Sequence, residues 1–310
     1  GRVVIYTSVD EVFARRVLAD FEQQTGIRVD ALYDTEAGKT TGFLRRLERE
    51  AARPRCDVWW SSEIFGTIEL ARAGILEPYD SPAAADIPAS WRDPDHAWTA
   101  TSARGRVLAY HTGRITPQDL PETWSATAQP EFARRLAIAN PQFGTTRGHM
   151  AALFVHLGRE EMARLLQSLR ESGALLADGN AHAVRMLTGG QADACWTDTD
   201  DVWVAQQRGE PIGLVYPRLA ADGPVVWIPC TVARVKGGPN ADAARRLIDF
   251  LVSADCERAL YATDSRNIPV RPALHAALGL EPPLPESMDW WAVADALEES
   301  GRLSRDILLR

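Results

Sequence analysis

Hydrophobic positions along the chain alternate between the short runs of buried strands and the three-to-four-residue spacing of amphipathic helices. Val3-Val4-Ile5-Tyr6-Thr7 opens as a β-branched run, and Ser8, Val9, Asp10 and Glu11 follow as a turn and helix start. Phe13, Val17, Leu18 and Phe21 then recur at helical spacing until Gly26 ends the helix, and 27–32 is extended again. A strand–helix–strand unit in one sheet implies a right-handed parallel crossover. The same reading predicts a helix around Phe43, Leu44 and Leu47, a strand over 56–60, and a helix through Ile64, Ile68 and Leu70 stopped by Gly74. Beyond a proline- and alanine-rich connection at 77–95, strands are expected at 107–110, 136–139, 194–196, 212–216, 225–228 and 232–235. Helices hold Met150, Leu153, Phe154 and Leu157, then 160–172, 183–188, 201–208, 241–253 and 255–263, with a final helix in the proline-punctuated tail. The class is α/β.

Polar residues gather where these strands end. The first three strands run into Ser8/Asp10, Asp34/Thr35 and Ser61/Ser62/Glu63. Each is an ordinary helix cap by itself, but three on one sheet edge make a polar rim, and open α/β sheets bind ligands at carboxyl ends of strands. The loop 34–41 looks like a P-loop fragment without the required spacing. Later, the apolar run ending at Trp196 gives way to Asp198, Asp200 and Asp201 and then to a helix. One helix cap needs one carboxylate; three crowded together raise each other's pKa unless a cation or donor relieves them. Gly144-Thr145-Thr146 at another helix start offers N–H groups and hydroxyls to an anion, or only a threonine cap. Trp59, Trp60, Trp196 and Trp203 are candidates for an apolar or cation–π wall. Strand alternation lets at most one of Trp59 and Trp60 face a ligand, and core burial is the commoner fate of a tryptophan.

Composition narrows the classes. At 310 residues the chain suits two domains, with a crossing near 101–105 and a return through Pro229-Cys230-Thr231. A net charge of −8 and no basic stripe argue against nucleic acid. No apolar run spans a membrane and no signal peptide is visible, which leaves room for one removed on export. Cys56, Cys195, Cys230 and Cys256 form no C-x-x-C pair and read as buried thiols, one disulfide staying open for a secreted chain. The six histidines have no metal spacing; His149 and His156, seven apart on one helix, lack a third ligand. Asp198-Thr199-Asp200-Asp201-Val202 fits the D-x-D-x-[TV] pattern of magnesium-dependent aspartyl phosphatases, the alternative function, although it does not follow the first strand. A calcium loop would need glycine where Trp203 stands, and no G-x-S-x-G is present for a serine hydrolase.

The opening strand, Phe21-Glu22-Gln23-Gln24-Thr25-Gly26-Ile27-Arg28-Val29 and Cys56-Asp57-Val58-Trp59-Trp60 resemble the extracellular solute-binding proteins of ABC importers, in the ferric-ion-binding branch. Ala139-Asn140-Pro141, Gly190-Gln191-Ala192-Asp193-Ala194 and Ala244-Arg245-Arg246-Leu247-Ile248-Asp249-Phe250-Leu251 extend the resemblance in matching order over nearly the whole chain. It implies a type II periplasmic-binding-protein fold of two lobes, each a mixed sheet flanked by helices. The first is 1–103 plus 231–310 and the second 104–230, with hinge strands and a ligand cleft between them. It further implies a periplasmic or extracellular, monomeric carrier that closes on its ligand and serves ABC permease subunits, with no catalysis. The ferric branch's histidine aligns with Asp10, its glutamate with Ser62 (Glu63 one step on), and its tyrosine pair with Asp200-Asp201. Its anion-holding region aligns with Gly144-Thr145-Thr146 and Asn180. Metal ligation therefore falls to Asp10, Asp200 and Asp201, hard oxygens suited to iron, calcium, magnesium or manganese with an accompanying anion. A zwitterion such as an amino-phosphonate or amino acid fits the same pairing of acidic and anion-binding groups.

Overall fold

A computed structural model describes residues 1–33, 41–280, 282–283, 285–286 and 288–310. The polar loop with Asp34 and Thr35, and with it most of the P-loop-like fragment, lies outside the described residues. The chain divides into two compact units, Gly1–Ala103 with Pro229–Ser287, and Arg104–Ile228 with Met288–Arg310.

The first unit opens with β1 (Arg2–Thr7), α1 (Glu11–Thr25), β2 (Arg28–Tyr33), α2 (Thr41–Glu50), β3 (Val58–Ser61), α3 (Phe65–Arg72) and β4 (Leu76–Glu77). β1 pairs in parallel with both β2 and β3. Helix-covered parallel strands are apolar on both faces, so Trp59 and Trp60, which point opposite ways, are both buried. Neither is open to a ligand, core burial being the fate of both: the Trp59 indole donates to Thr67 and the Trp60 indole to Thr101. Gly26, at φ 66°, ends α1 in the left-handed conformation that the glycine signalled.

The chain passes into the second unit within β5 (Thr99–His111). There follow α4 (Pro130–Ala133), β6 (Leu136–Ala139), α5 (Gly144–Glu171), β7 (Leu175–Ala177), α6 (Asn180–Thr188), β8 (Ala194–Asp198), α7 (Thr199–Gln207) and β9 (Ile212–Val215). β6 runs parallel to β7 and β8, while β5 is antiparallel to β8 and β9, giving a mixed sheet in the order β9-β5-β8-β6-β7. α5 is interrupted at Gly158, whose φ of 77° and ψ of 167° no helix accommodates, so the two helices read from the sequence meet end to end there.

β10 (Trp227–Val235) returns the chain to the first unit, where it pairs antiparallel with β3 and β4. α8 (Ala241–Leu251), α9 (Ala254–Tyr261) and α10 (Pro272–Ala277) complete that unit. Asp57, fully buried, accepts hydrogen bonds from the Val4 N–H and from the backbone and side chain of Asn240, tying β1 and the start of α8 to β3. The last helix, α11 (Trp290–Leu308), was expected with the first lobe but belongs to the second unit. It packs lengthwise on α5, burying Trp290, Val293, Ala294, Leu297 and Leu308. Its apolar stripe matches α5, a pairing that hydrophobic spacing in either helix alone does not reveal.

Candidate functional site

Because β6, β7 and β8 are parallel, their carboxyl ends share one edge of the second unit's sheet, and α5, α6 and α7 all begin there. Thr145 and Thr146 lie in the first turn of α5, Asn180 opens α6, and Asp198 ends β8, with Asp200 and Asp201 in the first turn of α7. β5 runs the other way, and its register sets Arg106 opposite Asp198. Two positions earlier on the same strand, Arg104 lies on the same face.

Asp198 is the hub. One carboxylate oxygen takes the Arg106 Nη1 at 2.6 Å; the other takes the Thr145 hydroxyl at 2.5 Å and the Asn180 amide at 2.9 Å. Both members of the Arg106–Asp198 pair are essentially without solvent contact. Arg104 lies 3.1 Å from Asp200 and 3.9 Å from Asp198. The Thr197 hydroxyl donates to Asp201 at 2.8 Å, and Thr146 donates to Asn180 Oδ1 at 3.2 Å. Carboxylate oxygens of Asp198, Asp200 and Asp201 fall within 4.8 Å of one another. Burial first, then the charges of Asp200 and Asp198, push the Asp201 carboxyl up to about 8, so it holds its proton at neutral pH.

Gly105 separates the two arginines. A Cβ there would come within 2.9 Å of Trp227 and 3.0 Å of Tyr216, which stack on each other, and within 3.1 Å of Thr199, so only glycine lets β5 approach so closely. Arg104, Gly105 and Arg106 are the site residues that the sequence reading missed. Its signal was the alternation Arg-Gly-Arg ahead of an apolar run, which puts two charges on one face of a strand.

Trp196, expected beside the ligand, is wholly buried against Trp124 and His149, at ring distances of 5.3 Å and 5.1 Å. Apolar surroundings, with the charge of Arg106, hold the His149 imidazole well below its ordinary range and therefore neutral. Trp203 is largely buried in α7.

In the first unit, β1 and β3 end side by side. The Ser8 hydroxyl lies 3.3 Å from those of both Ser61 and Ser62 and accepts the Ser62 N–H at 3.0 Å. Glu63, a candidate ligand, turns its carboxylate onto the N–H groups of Phe65 and Gly66 at the start of α3. Asp10 is exposed at the start of α1, and its side chain makes no cap bond to that helix. This edge is rich in neutral hydroxyls.

The phosphatase alternative loses its nucleophile: Asp198 has both oxygens engaged and no access to solvent. All four cysteines are buried free thiols. No helix among the described residues is long and apolar enough to cross a membrane.

Comparison with known proteins places these edges in a familiar frame. The chain is 26% identical to the major ferric iron-binding protein of Neisseria meningitidis over 289 residues, covering 90% of this chain and 84% of that one. Iron-bound HitA from Pseudomonas aeruginosa superposes with a TM-score of 0.87 at 22% identity, covering 99% of each chain. AfuA from Actinobacillus pleuropneumoniae, a periplasmic binding protein with exogenous fructose-6-phosphate bound, gives a TM-score of 0.80 at 18% identity, covering 100% of this chain and 99% of that one. The fold is thus that of the type II periplasmic binding proteins. Residues 68–298 match the family described as bacterial extracellular solute-binding protein. That match spans well over half of the chain, which therefore belongs to the bacterial extracellular solute-binding proteins and is a binding protein rather than an enzyme.

Proposed function

We propose that the chain is the extracytoplasmic solute-capturing component of an ABC importer, delivering its cargo to membrane permease subunits. Its cargo is a small solute bearing one positive group and an oxyanion, an amino-phosphonate or amino acid being the simplest cases. One observation carries the choice of cargo. With Asp201 ionised, the form that a bound cation favours, three aspartates on the second unit's edge face two arginines, Arg104 and Arg106, which leaves one net negative charge. A single ammonium group matches that charge. A bare trivalent ion would leave two positive charges uncompensated on this edge, in surroundings where desolvation makes unpaired charge costly.

Asp200 and Asp201 are the groups assigned to the cation, because Asp198 is already committed to Arg106, Thr145 and Asn180. Ser8, Ser61 and Ser62 form a separate hydroxyl cluster on the first unit's own edge, hydroxyls being donors and acceptors at once. Glu63 serves its own helix in this reading.

A second reading, a metal ion with an accompanying anion, has the 4.8 Å clustering of carboxylates and the iron-binding names of several relatives behind it. Asp200 and Asp201 would supply hard oxygens for iron, calcium or magnesium. Native mass spectrometry and metal analysis of freshly purified protein decide between the two, followed by thermal shifts with 2-aminoethylphosphonate, amino acids, ferric citrate, calcium and magnesium. The first reading expects a rise in melting temperature with an amino-oxyanion and no stoichiometric metal; a one-to-one metal content that survives dialysis overturns it.

A further inference from the structure

We infer that the Asp198 carboxylate is a resident anion, seated in a receptor that the second unit builds for a small oxyanion. The native chain therefore keeps that receptor closed to anions from solution. Its donors come from three separate elements: the Arg106 guanidinium from β5, the Thr145 hydroxyl from α5 and the Asn180 amide from α6. Thr145 also receives the Asn180 amide at 3.1 Å, so the donors brace one another around the carboxylate. Arg106 is completely buried, and its Nε and Nη2 have no partner among the described residues, so the guanidinium holds donor capacity beyond what Asp198 uses. A wholly buried cation with spare donors, aimed at a carboxylate that two further donors also hold, is the donor set with which proteins grip free carboxylates and phosphates.

Covalent attachment gives this carboxylate an effective concentration that dissolved anions at ordinary levels do not match. Thr145 and Asn180 consequently act on Asp198 and not on cargo. This holds whichever solute the protein carries, so it stands or falls separately from the proposed function. The ligand class for the vacated receptor is a monocarboxylate of the size removed, formate or acetate.

The test is the full chain with Asp198→Ala, melted with increasing sodium formate and, at matched ionic strength, sodium chloride. The variant's melting temperature should rise saturably, by roughly 3–5 °C at about ten times the formate dissociation constant. The unaltered chain should shift by less than about 1 °C over the same range, since its receptor is filled. Adding Arg106→Met to the variant should abolish the formate response while removing the buried charge that Asp198→Ala leaves unpaired. A folded Asp198→Ala protein that responds equally to formate and chloride overturns the inference, as does an equal formate response in the unaltered chain. Where Asp198→Ala does not fold in chloride, refolding in formate is the readout: recovery only in formate supports the receptor, and recovery in neither salt overturns it.

Discussion

At the carboxyl ends of β1 and β3 the first unit presents serine hydroxyls, and it turns Glu63 back onto its own helix. At the carboxyl ends of β6, β7 and β8 the second unit presents two arginines and three aspartates within bonding reach of one another. The same topological rule makes both edges, yet the chemistry placed on them differs in cost. A hydroxyl pair is a net gain of about 1 kcal/mol and can be exchanged for a solute's oxygen with little loss. A buried ion pair is held because removing one partner strands the other. The second unit's edge is therefore a fixed charged array, and the first unit's an exchangeable set of neutral hydroxyls.

The sharpest way to break that comparison is Arg106→Met. It leaves Asp198 buried and unpaired, and should lower the stability of the second unit by about 3–5 kcal/mol, read by urea unfolding with a probe in each unit. The first unit's transition should not move. The double change Asp200→Asn with Asp201→Asn should come next. It removes the groups assigned to the cation and should weaken binding of an amino-oxyanion at least about 100-fold, or about 2.7 kcal/mol, in isothermal titration. Binding left intact would return the cation to some other part of the molecule.

A third prediction uses pH. Burial and neighbouring carboxylates raise Asp201 above the usual carboxylate range, to about 8. The folded state therefore binds more protons than the unfolded one between the ordinary aspartate value and about 8, and this group's contribution to stability falls as pH rises through that window. A bound ammonium favours the ionised form. Affinity should accordingly climb with pH, by up to about tenfold per unit between pH 6 and 8, and level off above. Asp201→Asn should flatten the profile. Smallest is Ser62→Ala, which removes one hydroxyl from the neutral edge and should cost about 0.5–1.5 kcal/mol in thermal or chemical unfolding. A loss there as large as that of Arg106→Met would erase the distinction between the edges.

Much of this was legible from spacing. The helix start at Gly144 and the strands β6 and β8 follow from short apolar runs broken by polar turns, and the carboxyl-end rule directs attention to them, whereas β7 went unread and α6 and α7 begin two or three residues earlier than the spacing suggested. Asp198, Asp200 and Asp201 stood out for the same reason. What spacing cannot show is which side chains answer each other across strands. Arg106 meets Asp198 only because β5 and β8 pair in one register, a fact of sheet assembly between residues 92 apart. The sequence around Arg104 and Arg106 read as a crossing because glycine and charge interrupt the apolar pattern. Burial of Trp196 was hidden likewise, since a tryptophan beside three aspartates looks polar in sequence while its strand's other face belongs to the core.

The membership of α11 has a consequence for how the chain comes into being. The body of the second unit is complete by Ile228, but the helix that covers α5 begins only at Trp290, after the remainder of the first unit has been made. During synthesis α5 therefore waits for this cover while residues 229–287 emerge. The second unit's packing is thus completed by the last helix made, so its final closure comes only when α11 arrives.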